Sequence, residues 1–207
     1  MQKEHYEYQP LKKKNFKLIA WICFIAILFV LTKTFFTSSL PETVAIAALA
    51  IEQLMLVWVI YQLGIYADNF DESPTHAYTT IFAYIILLKL AYSIVITYWP
   101  QFQHMGLMLL FNTLFISLYF FVGKTIMALQ NDFVGGLKYI GILFIAKAAV
   151  IFIGLLTSVA MTYLAGGIIP KGIVNIMWIA TNYLTLFIDF AIFYILFKIF
   201  RKADLMQ

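Results

Sequence analysis

The sequence predicts an all-α fold, a polytopic membrane helix bundle of six transmembrane helices with both termini cytoplasmic. Three observations predict it. Of the 207 residues, 63% are hydrophobic and 12% charged, whereas an average soluble domain is about half apolar and a quarter charged. The apolar residues fall into six runs, each near the ~20 residues a helix needs to cross a hydrocarbon core. The basic residues gather on alternate loops, as the positive-inside rule requires.

Residues 1–15 (MQKEHYEYQPLKKKN) form a basic tail. The first span covers residues 16–36. A basic tail before an apolar run also describes a signal peptide, but this run is longer than an h-region and no A-x-A site follows, so a retained helix is expected. Ser39, Pro41 and Glu42 then read as cap, first-turn proline and capping-box acid. They open the second span, residues 43–66. An acidic loop with Asp68, Asp71 and Glu72 follows, and Ser73-Pro74 starts the third span, 76–99, which Pro100 ends. The fourth span is 105–127. Gly135-Gly136 turns the chain into the fifth, 137–160, and Ala165-Gly166-Gly167 with Pro170 separates it from the sixth, 173–199. Residues 201–207 make a short basic tail, so the transmembrane domain is 16–200. All five prolines lie outside the spans. This predicts continuous helices, unlike the interrupted helices that form the sites of many transporters.

Orientation follows from lysine and arginine. With a cytoplasmic N-terminus, the inner segments hold ten (Lys3, Lys12, Lys13, Lys14, Lys17, Lys124, Lys138, Lys198, Arg201 and Lys202) and the outer segments two, Lys33 and Lys171. The acidic loop does not disturb this, because Asp and Glu contribute little to the rule. Phe, Ile, Lys and Tyr usage is compatible with a bacterial inner membrane.

Four charges interrupt the runs: Glu52, Lys89, Lys147 and Asp189. A central Asp or Lys costs roughly 2.5–3.5 kcal/mol to insert, so each needs a partner or a wet cavity. Lys147 and Asp189 each lie ten residues from the inner ends of their spans, which predicts a buried inner pair. Glu52 and Lys89 lie nine and ten residues from the outer ends of theirs, which predicts an outer pair. Inversion relates the two pairs in depth, as an inverted repeat of three spans would. Thr185 and Asn182 extend the Asp189 face at helical spacing, and Asn112 shares a face with Tyr119. Asp189, Lys147, Glu52, Lys89, Asn182, Thr185 and Asn112 are therefore the candidate substrate or ion-binding residues.

Other chemistries find little support. The single cysteine, Cys23, excludes an internal disulfide framework and a cysteine-held cluster. His5, His76 and His104 offer no pair within the spans for haem. No zincin, phosphate-loop, nucleophile-elbow or dithiol motif occurs. No catalytic residue, metal or cofactor is expected. The basic residues flank helices and set topology, so no nucleic acid is expected. The expected partners are the lipid bilayer, a small solute or ion, and a second copy or membrane partner subunit. Two function classes follow: a bundle that binds or conducts a small polar solute or ion through its charge pairs, or a non-enzymatic scaffold or assembly subunit whose charges are structural.

Overall fold

A computed structural model describes residues 15–36, 42–67, 74–129, 136–164 and 171–205. Among them the chain is helical throughout, with no strand. The helices are α1 (Phe16–Phe36), α2 (Glu42–Ala67), α3 (Thr75–Tyr98), α4 (Met105–Ala128), α5 (Leu137–Leu164) and α6 (Lys171–Leu205). Five of them, α2 to α6, are long and apolar enough to cross a membrane, and α1 contributes a shorter apolar stretch, Phe16–Leu31.

The local chemistry explains several boundaries. Asn15 caps α1 by accepting the Leu18 N–H on its Oδ1 at 3.2 Å, the usual way to satisfy an orphan donor of the first turn. Pro74 precedes α3, and its carbonyl accepts the Tyr78 N–H. A single 3-10 turn, Pro100–Phe102, joins α3 to α4. The Tyr92 hydroxyl latches that turn, accepting the His104 N–H at 3.0 Å. Gly136 opens α5 with φ +125°, a conformation that costs a side-chain-bearing residue. The proposed caps at Ser39, Pro41 and Ser73 lie outside the described residues. α6 continues past Phe200 through Arg201 and Lys202 to Leu205; after Gly172 the sequence holds no Gly or Pro to stop it.

Each helix packs on its neighbours in sequence, and α6 returns to α1, so the six helices close a ring. The rings of Phe16, Tyr66 and Phe200 meet, with centroids 5.6–6.1 Å apart. The start of α1 and the ends of α2 and α6 therefore share one end of the bundle. Gly136 lies against Ile199 at that end too. Two of the closest pairs use glycine, as close helix crossings in membranes do. A Cβ on Gly64 of α2 would strike the Thr79 side chain of α3. A Cβ on Gly123 of α4 would lie 2.7 Å from the Gly141 carbonyl oxygen of α5, and one on Gly141 would lie 2.6 Å from that of Gly123.

Burial along the helices is uneven. The core residues cluster toward the end that holds Phe16, Tyr66 and Phe200: Cys23, Val59, Leu63, Phe82, Val122, Ile140, Leu196 and their neighbours are buried. In the other half, no described side chain is buried among residues 44–55, 87–114 or 175–187. On α5, Val150 and Thr157 are the described buried residues of that half. The described side chains are thus well buried at one end and sparsely buried at the other, where Gly154 of α5 still meets Thr181 of α6. We call these the closed and open halves.

Candidate functional site

The four charges fall where the closed half gives way to the open one. Glu52 stands one turn beyond Leu56, the first buried residue of α2, and Lys89 three residues beyond Ile86 on α3. Asn112 stands three residues before Phe115, the first buried residue of α4. Lys147 borders buried Ala148 and Val150, and Asp189 follows buried Ile188.

Lys147 and Asp189 form an ion pair, with Nζ donating to Oδ1. The pair joins α5 to α6 near Gly154, whose Cβ position lies 3.1 Å from the Thr181 methyl; this small residue lets the two helices approach. The Lys147 side chain is 8% exposed and that of Asp189 18%, so the carboxylate is the more open partner. The Lys147 ammonium also lies 4.8 Å from the centroid of the Tyr119 ring.

Lys89 is held differently. Its ammonium sits 4.4 Å from the centroid of Phe115, and it makes no ion pair among the described residues. A cation–π contact returns about 0.5–2 kcal/mol. That is less than the roughly 2.5–3.5 kcal/mol cost of a lysine at mid-membrane, so the ring compensates Lys89 only in part.

Aromatic side chains tie the layer together. Phe82 meets Tyr119 edge-on at 4.5 Å between centroids and Phe115 at 5.6 Å, and Tyr119 meets Phe144 at 5.5 Å. Tyr119 lies within electrostatic range of Lys147, Asp189 and Glu52, and Lys89 within range of Lys147. The layer therefore collects charges from α2, α3, α5 and α6 around two rings of α4.

This changes the arrangement expected from depth. The inner pair of Lys147 with Asp189 is present. The outer pair is not: Lys89 lies over Phe115 and is not bridged to Glu52. The separate inner and outer levels also merge into one. The reason is geometric: α3 has 24 residues, so ten residues from the outer end is close to its midpoint, and ten from the inner end is close to the same level. Thr185 is half-buried one turn before Asp189, and its Oγ1 donates to the Thr181 carbonyl at 2.8 Å. Asn182 is exposed on the open half, and Asn112 is half-buried on α4. The residues absent from the candidate set are Phe115, Tyr119, Phe82 and Phe144. Tyr119 was the legible one, seven residues after Asn112 on the same helical face. Nothing separates the three phenylalanines, in sequence, from the chain's other seventeen.

Among the described residues, no group of three or more His, Cys, Asp or Glu is placed to hold a metal ion. No known family, characterised protein or solved structure matches this chain.

Proposed function

We propose that the chain is a six-span membrane protein, with both termini in the cytoplasm and bacterial inner membrane as its setting, that binds or conducts a small polar solute or ion at the charged layer. One observation carries this reading: the charges of four helices lie where close packing ends, beneath the open half. A purely structural ion pair is best placed where packing is continuous and water is excluded. A site must be reached, and an open half above Asp189 and Lys89 provides the approach. α1, packed against α6 and α2, is the sixth span. The exposed Lys17, Lys124, Lys138, Lys198, Arg201 and Lys202 of the closed half support a cytoplasmic placement of that end.

The test uses a variant that keeps the fold. Replacing a buried ion pair by apolar residues of similar volume is often neutral for stability. Lys147→Met/Asp189→Leu should therefore remain monodisperse yet lose most of the solute flux or binding of the wild-type protein in liposomes. Equal flux or binding by the two proteins would remove the Lys147–Asp189 pair from the function.

A second reading has its own support. The open half of α6 exposes large apolar side chains, Ile176 at 68% and Phe187 at 67%, which fit a partner membrane subunit as well as lipid. A scaffold or assembly subunit would show a partner at fixed stoichiometry in native membranes, and the double variant would leave that complex intact.

A further inference from the structure

We infer that the charged layer is selective for small anions, with the Lys89 ammonium as the counter-charge. This rests on the proposed solute site and names the class of solute it takes. Asp189 is already engaged by Lys147, so the pair offers a cation little that is not occupied. Lys89 is engaged only by the face of Phe115, which leaves its three N–H donors without an anionic acceptor among the described residues. The layer's second ammonium, Lys147, is already neutralised by Asp189, which leaves Lys89 as the counter-charge. Glu52, the layer's other carboxylate, has a partner of its own, so a cation arriving from the open half would meet the Lys89 ammonium, whereas an anion would find Lys89 half-buried at the end of the approach, three residues past the last buried residue of α3. The surrounding rings are apolar and low in dielectric, which strengthens a charge-assisted hydrogen bond to Lys89. The half-buried Tyr92 and Ser93 stand on the same helix one turn further out. The Tyr92 hydroxyl is committed to the His104 N–H, so Lys89 is the group that a ligand would gain.

The experiment measures binding of radiolabelled acetate, chloride and rubidium to the purified protein in lipid nanodiscs. The wild-type protein should bind at least one of the two anions and not rubidium. Lys89→Gln should weaken anion binding by about tenfold, the effect of one lost strong contact, and Lys89→Arg should retain it. Lys124→Gln, at the exposed face of the closed half, should bind like wild type. Rubidium bound without either anion would overturn the anion assignment while leaving a solute site in place. Unchanged anion binding by Lys89→Gln would overturn the role of Lys89. Binding of none of the three ions would overturn both this inference and the solute site beneath it. The wild-type comparison of anion with cation needs no variant, so misfolding of Lys89→Gln would not protect the inference.

Discussion

Asp189→Ala is expected to destabilise the folded bundle by about 3–5 kcal/mol, the cost of removing one partner from a buried ion pair. The Lys147 side chain, 8% exposed, would keep its charge with no carboxylate beside it. The Tyr119 ring at 4.8 Å is a partial substitute, worth about 2 kcal/mol or somewhat more when desolvated. Asp189→Asn should be milder than Asp189→Ala, because the amide oxygen still accepts from the ammonium. Adding Lys147→Met to Asp189→Ala should recover most of the loss, since the stranded charge disappears. The measurement is the unfolding free energy of each variant in mixed micelles, read as a double-mutant cycle. Failure of Lys147→Met to rescue would show that the two residues are not coupled.

Gly123→Leu and Gly141→Leu should each cost about 1–3 kcal/mol, toward the upper end of the range for overpacking. The atoms a new Cβ would meet are carbonyl oxygens of the facing helix, at 2.7 and 2.6 Å. A carbonyl cannot rotate away as a side chain can, so α4 and α5 would have to separate. Separation would move Tyr119 away from Phe144 and Lys147, and the charged layer would suffer with the fold. Because both glycines serve one crossing, the double substitution should cost less than the sum of the two. Gly106→Ala is the control: nothing lies within 4 Å of a Cβ there, and stability should be unchanged or slightly raised by the gain in helix propensity. Yields of monodisperse protein and thermal midpoints of the four variants check this.

Much of the fold could be read in advance because bilayer crossing leaves a coarse signal. Each helix needs only length and apolarity, and the five long enough to cross a membrane are each apolar over at least 22 residues. The breaks at Pro74, Pro100 and Gly136 fall at helix ends because proline lacks a donor and glycine alone tolerates positive φ. The Lys147–Asp189 pair was legible for the same reason: two opposite charges at equal depth on consecutive helices must account for their cost. The ring closure of α6 on α1 was not legible. It depends on which faces meet, and helices that are apolar all round carry no face in their sequence. The seating of Lys89 on Phe115 was hidden likewise, since Glu52 offered the better electrostatic partner on depth alone. The open half was also hidden, because lipid-facing and cavity-facing positions use similar residues in a chain this apolar.

Whether water reaches the charged layer from the open half, and stops there, is answered most directly by thiol labelling along α6. Cys23 is buried and should stay unreactive in the folded protein, which gives a silent background. In sealed vesicles, a membrane-impermeant thiol reagent added on the open-half side should label Thr181→Cys and Thr185→Cys. It should leave Ile192→Cys and Leu196→Cys, in the closed half, unlabelled until detergent unfolds them. Labelling of Ile192→Cys in the intact bundle, or protection of Thr185→Cys, would contradict an open approach that ends at Lys89, Lys147 and Asp189.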